Sequence, residues 1–280
     1  LYNWSLYEKG DHKPGHVKHL RNLYAATLTM MDNWFGRLLE ELQEQGIYDE
    51  TLIIFTTDHG HMLGEHGITG KNNFHMWNEI SHIPLIVHLP NGAHAGERRS
   101  QLTQNIDVFP TVLDFFDLSY SNPIHGISWK GILEEDSPSS RTACLYGLFG
   151  QTVNITDGRC TYFRPPFSPD NQPLFRHFLT PGTASRFNGG YHDVPGEQFY
   201  EDVEIGWFLS QSNMKTLRSR ASKTVSPEWK DAGLYNIQND CLQNVNLAGS
   251  DLEEYYIRLL GDTMRAMDAP KSQYDRLGLS

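Results

Sequence analysis

Cysteine is scarce in this chain: three in 280 residues, Cys144, Cys160 and Cys241, an odd number with no CxxC pair. That usage argues against a disulfide framework or a zinc knot and fits a reducing compartment, cytoplasmic slightly ahead of periplasmic or secreted. Long apolar runs are missing too, and no stretch approaches the roughly 18 residues of a membrane span. Positive charge is in deficit, with 23 Lys and Arg against 34 Asp and Glu and a formal charge of −11. Nucleic acid and anionic membrane surfaces both require a basic face, so neither is an expected partner. An anionic substrate would need a local cation or metal. Neither a P-loop nor a GxSxG elbow occurs. No initiator Met and no signal peptide precede Leu1, and the chain is expected to be part of a longer polypeptide.

What is present is an ordinary globular composition, 39% hydrophobic and 20% charged. The most informative stretch is 51–71. A β-branched apolar run, Thr51 to Thr57, stops at Asp58-His59-Gly60, and a loop with Gly64, Gly67 and Gly70 then carries Lys71. This reads as a buried strand of an α/β sheet with ligands at its carboxyl end, where open α/β sheets bind substrates. An Asp-His pair there can hold a divalent cation, and a lysine nearby suits an anionic ester.

Apolar spacing over 20–45 predicts an amphipathic helix ending near Gly46. Ile83 to Leu89 predicts a second strand, and Asp107 can cap a helix through 116 with Pro110 in its first turn. Past about 135 the character changes. Strands at 143–149, 151–155 and 160–164 predict an antiparallel meander. A polar stretch over 165–230 reads as a long functional or wrapping loop. Leu234 to Ile237 is a last strand and 251–267 a terminal helix. The domains expected are 1–135, α/β, and 136–280, a smaller α+β unit.

Seven of the thirteen histidines fall between His59 and His94. His88 and His94 read as ordinary hydrogen-bonded residues, whereas His59 follows Asp58 directly at a strand end. A zinc hydrolase would use His59, His61 and His66 with Glu65 as base, but the spacing lacks the helical one-turn repeat and Gly60 and Gly64 oppose a helix.

Several motifs in order carry a family resemblance: Asp58-His59-Gly60, Gly64-Glu65-His66-Gly67, Lys71, His82-Ile83-Pro84-Leu85-Ile86-Val87, and Asp107-Val108-Phe109-Pro110-Thr111. With the helix before them and Leu234-Tyr235-Asn236 followed by Asn244-Val245-Asn246-Leu247 near the end, they resemble the second half of a sulfatase of the alkaline-phosphatase superfamily. The resemblance implies the second half of a mixed sheet flanked by helices, followed by a small C-terminal antiparallel sheet with a packed helix. It implies Asp58 as a ligand of a divalent metal, Ca2+ first and Mg2+ second, and His59 as a further ligand or, because calcium favours oxygen donors, a hydrogen-bond partner of the nucleophile or sulfate. Lys71 would contact the sulfate and stabilise charge on the leaving oxygen. His82 and His75 would lie on the substrate side.

The family's nucleophile is a formylglycine made within Cys/Ser-x-Pro-x-Arg, and these 280 residues contain no such motif. Ser137-Pro138-Ser139-Ser140-Arg141 has Pro and Arg at the wrong spacing. The resemblance therefore implies half an active site, with formylglycine expected in a segment before Leu1 and no turnover by this chain alone. Phosphonate monoester hydrolases and phosphodiesterases of the superfamily share the Asp-His-Gly segment, and a non-catalytic relic that binds sulfated glycan is a further alternative. Expected partners are a sulfated small molecule or glycan, and either the chain's own N-terminal half or a second copy, because strand 51–57 would otherwise lose a neighbour.

Overall fold

The computed structural model describes residues 8–9, 13, 15–71, 75–138, 141–179, 203–208, 213–221 and 230–280. These form two compact units. One comprises the described residues within Leu1–Gln101 and Trp129–Ser139, the other those within Leu102–Ser128 and Ser140–Ser280.

The first unit contains β1 (Glu8–Lys9), α1 (His16–Glu44), β2 (Ile53–Thr56), β3 (Met62–Leu63), β4 (Ile68–Gly70), α2 (Asn78–Ser81) and β5 (Leu85–His88). Helix α1 starts a turn before the apolar spacing predicts, behind Gly15 at φ 86°, and ends where Gly46 takes φ 70°. There the Gly46 and Ile47 amides close onto the carbonyls of Gln43 and Leu42 at 3.0 and 3.1 Å. A left-handed residue just past a helix satisfies its last carbonyls, and glycine does so without a Cβ penalty.

Strand β2 pairs antiparallel with β5, Ile53 opposite His88 and Thr56 opposite Leu85. The expected burial of this strand is not met: all four β2 residues are only half-buried. With β5 as its one partner among the described residues, β2 has an uncovered flank. Phe35 of α1 meets Phe55 of β2 with ring centroids 5.2 Å apart. Leu20, Leu23, Leu39 and Leu42 of the α1 apolar stripe are half-buried, whereas Tyr24, Leu28, Met31, Trp34 and Leu38 are exposed. The periodicity marks an apolar face that the described residues cover only in part. A short helix, α3 (Val108–Phe115), belongs to the second unit, and α4 (Lys130–Glu135) to the first.

The second unit is built on β6 (Cys144–Gly147), β7 (Val153–Thr156), β8 (Cys160–Arg164) and, after β9 (Phe175–Phe178), β10 (Glu204–Gly206) and β11 (Thr216–Arg220), β12 (Gly233–Asn236). Strands β12-β8-β7-β6 form one antiparallel sheet, which is the expected meander with its last strand added at the β8 edge. Helix α5 (Asp251–Ala266) places Tyr256, Leu260 and Met264 at four-residue intervals against Ile155, Tyr162 and Leu234. Each such side chain, fully buried, contributes about 1.5–3 kcal/mol. Helix α6 (Lys271–Leu277) closes the unit. Its Arg276 is buried, bonded through Nη1 to the Gln151 carbonyl at 3.1 Å and to Asn171 at 3.0 Å, and burial pushes its guanidinium down to about 10.

The reading of 165–230 as one long loop is corrected: β10-β11-β9 form a three-stranded antiparallel sheet inside it. Its strands alternate basic and aromatic residues, Phe175-Arg176-His177-Phe178 and Leu217-Arg218-Ser219-Arg220, which hides the usual apolar period. Long-range pairing makes these segments strands, and pairing between distant segments leaves no local signature. Residues 180–202 lie outside the described residues.

The candidate active site

Gly60 explains why the chain turns where it does after β2. Its amide donates to the Ile80 carbonyl at 2.8 Å, and a Cβ on it would lie 1.8 Å from the Glu79 carbonyl oxygen. Only glycine permits that approach, so α2 lies across the Asp58-His59 turn. The following hairpin is pinned by Glu65, which accepts from the Leu63 amide at 2.6 Å and from Arg21 at 2.8 Å, while Arg21 Nε donates to the Leu63 carbonyl at 2.9 Å. Gly64, at φ 107°, sits against Val17 of α1. The hairpin is thereby tied to the first turns of α1.

On this frame Asp58 presents a carboxylate that is 81% exposed, with Oδ2 3.4 Å from His59 Nε2. His59 is oriented by its Nδ1, 2.8 Å from the Gly60 carbonyl, and its own amide donates to Asp58 Oδ1 at 3.0 Å. Slight desolvation acts to raise the Asp58 carboxyl, but the His59 charge, the amides of His59 and Asp58 and the Thr57 hydroxyl together hold it below its ordinary value. The carboxylate is therefore ionised at neutral pH. Lys71 is exposed at the end of β4. Its charge and that of His59 both bear on His61, whose imidazole is lowered first by burial, then by these two cations, with Glu65 opposing. His61 also stacks on Tyr24 at 6.3 Å. Asp58 and His59 are thus in contact, and His59 and Lys71 both act on His61.

The other sequence-predicted residues lie differently. His75 meets Trp77 edge-on at 5.2 Å, and His66 lies flat on the other ring contact of Trp77 at 3.9 Å. His82 is exposed at the C-terminal end of α2. Among the described residues no three His, Cys, Asp or Glu side chains gather where they could hold a metal ion. The would-be base of the zinc reading, Glu65, is consumed by the hairpin, and His66 by stacking. His88 meets Tyr48 in a tilted contact with ring centroids 4.4 Å apart, and His94 pairs with Glu97 at 3.2 Å. Sequence reasoning undervalued His61; its placement two residues beyond His59 and ahead of a glycine-rich turn toward Lys71 was the available signal.

A divalent cation fits the donors only in part. Asp58 and His59 offer one carboxylate and one imidazole, whereas calcium takes six to eight oxygens. The residues present fit an incomplete centre.

In the second unit, Asp107 does not cap its helix by its own first turn. Its Oδ2 accepts from the Gln104 amide at 2.7 Å, its Oδ1 from the Ile127 amide at 2.9 Å, and the same carboxylate pairs with Arg141, both side chains buried. The Asp-x-x-Pro-Thr element is a structural clasp, and the arginine of Ser137-Pro138-Ser139-Ser140-Arg141 is its other half.

Residues 5–118 match the family model described as Sulfatase. The chain is 37% identical over 152 residues to the N-acetylglucosamine-6-O-sulfatase of Bacteroides thetaiotaomicron, covering 51% of this chain and 27% of that one. A solved structure in complex with its substrate D-glucosamine-2-N,6-O-disulfate matches with TM-score 0.59 at 22% identity, over 88% of this chain and 41% of the other. The phosphonate monoester hydrolase of Agrobacterium radiobacter matches with TM-score 0.59 at 20% identity, over 91% and 43%. These structures carry the alkaline-phosphatase-like fold. The chain therefore spans well under half the length of the proteins it resembles.

Proposed function

We propose that residues 5–118, which match the family model described as Sulfatase, contribute the metal-side and sulfate-side residues of a sulfuric ester hydrolase. The observation that carries the reading is the ionised, exposed Asp58 carboxylate held against His59, with Lys71 acting on the same His61. Asp58 is the metal ligand of this half and His59 its neighbour or second ligand. A bound Ca2+, or Mg2+ in its place, would neutralise sulfate charge there. The ammonium of Lys71 binds a sulfate oxygen and offsets negative charge developing on the leaving oxygen. His61, half-buried and with its imidazole lowered by burial and by Lys71, adds no charge there. His75 and His82 stand on the substrate side.

None of the 280 residues forms a Cys/Ser-x-Pro-x-Arg motif, so the formylglycine nucleophile and the remaining metal ligands are contributed from outside this sequence. The name of the 37% identical relative favours a sulfated amino sugar as substrate class. The likeness to a phosphonate monoester hydrolase supports a second reading, because a tetrahedral phosphonate asks for the same cation and lysine.

The test is turnover of an aryl sulfate and an aryl phosphonate by a protein extended to the length of these relatives. Sulfate turnover is expected to fall by about 10²–10³ in Lys71→Ala, the scale for removing one donor to developing charge, and to vanish in Asp58→Asn. Faster phosphonate hydrolysis would select the second reading. Hydrolysis by the 280-residue chain alone would sink the half-site proposal.

A further inference from the structure

The small β10-β11-β9 sheet is unusual for so acidic a protein. Its described segments carry Arg176, Lys215, Arg218 and Arg220 against a single carboxylate, Glu204, in a chain of formal charge −11. Strand alternation and register sort these side chains. Phe175 and His177 of β9 share one face with Thr216, Arg218 and Arg220 of β11, and Arg218 lies opposite both His177 and Glu204.

That face is organised around the Arg218 guanidinium. It lies 4.6 Å from the ring centroid of Phe175 and 4.0 Å from that of Phe208. Phe208 reaches it by folding back over Gly206, where a Cβ would come within 2.9 Å of the ring. Held between two aromatic faces, the guanidinium loses little further freedom when it binds an oxyanion. Nη2 is tied at 2.7 Å to Glu204, whose side chain is 56% exposed. Nε of Arg218 and the hydroxyl of Thr216, a residue 4% exposed, are buried with no acceptor among the described residues. Buried donors without acceptors are costly, and here two lie on one face, two residues apart along β11. Arg220, exposed and a further two residues on, places a second cation about 7 Å from the first by strand rise.

We propose that this face, formed by Phe175, His177, Phe208, Thr216, Arg218 and Arg220, binds a sulfated sugar. The two arginines and the Thr216 hydroxyl take sulfate oxygens, and the aromatic rings take the apolar face of the pyranose. The face, built of residues other than those around Asp58, serves as an anchor for a sulfated chain. The choice of sulfate as the anion rests on the function proposed above; the existence of an anion site does not.

Titration calorimetry of the 280-residue protein tests it with three probes: a sulfated glycosaminoglycan hexasaccharide, its desulfated counterpart, and a single-stranded oligonucleotide of equal charge. The sulfated sugar should bind, weaken with added salt, and bind about tenfold or more tighter than the desulfated one. Arg220→Gln, at an exposed position, should weaken it about tenfold with an unchanged melting temperature, and Arg218→Gln by at least as much. Undetectable binding, equal binding by the arginine variants, or equal affinity for the oligonucleotide overturns the proposal. Loss of sugar binding in the arginine variants, together with absent sulfatase turnover by the extended protein, would leave this site standing and remove the catalytic reading. Turnover that survives with no sugar binding at this face would do the reverse.

Discussion

Arg141→Met tests whether the Asp-x-x-Pro-Thr element serves the fold or the chemistry. Wild-type Asp107 is 1% exposed and satisfied by Arg141 and by the amides of Gln104 and Ile127. Gln104 completes the clasp, accepting from Arg141 Nη1 at 2.7 Å and donating to the Leu145 carbonyl of β6 at 2.8 Å. Removing the guanidinium leaves a buried carboxylate with two amide donors and no countercharge. Breaking a buried pair from one side costs about 3–5 kcal/mol, because the surviving charge has lost its compensation. Asp107→Asn keeps the shape and strands the arginine instead, so it should also destabilise. The double variant Asp107→Asn, Arg141→Met buries no charge and should cost less than Arg141→Met alone. Urea unfolding followed by circular dichroism measures the four proteins. Exchange of the Ile127 amide gives a local reading, and 3 kcal/mol corresponds to about a hundredfold faster exchange. A cost below about 1 kcal/mol for Arg141→Met, or a double variant whose cost equals the sum of the singles, would refute the clasp.

Gly60→Ala should destabilise the first unit by at least about 1–3 kcal/mol, the usual overpacking range, since its methyl must displace the Glu79 carbonyl; a melting temperature equal to wild type would contradict the close approach. His61 should titrate below 6.5 by NMR, and Lys71→Gln should move its midpoint up by removing a neighbouring cation; no movement would separate the lysine from the imidazole. Because the folded state disfavours His61 protonation while the unfolded state takes up a proton near 6.5, its contribution to stability is full above that pH and is lost as pH falls below it. The exposed part of the α1 stripe, with Trp34 61% and Leu28 51% accessible, should drive the 280-residue chain either to self-associate or to co-purify with a second polypeptide; a monodisperse monomer in light scattering would argue against both.

Local chemistry made much of this protein legible in advance. Helix α1, strands β2 and β5, the β6-β7-β8 meander and helix α5 follow from apolar period, turn residues and caps, which act over a few neighbours. The Asp58-His59 turn and Lys71 are likewise visible as an apolar run that stops at ligand-type residues. What sequence could not supply were consequences of distant segments meeting. The β10-β11-β9 sheet arises from strands far apart in the chain whose basic and aromatic alternation mimics a polar loop. The pairing of Asp107 with Arg141 turns a motif residue into a buried clasp, and the need for Gly60 comes from a carbonyl 19 residues away. The lowering of His61 comes first from burial and then from the charge of Lys71, ten residues on. Period and turn propensity are properties of neighbouring residues; burial, countercharge and close approach are properties of the packed structure alone.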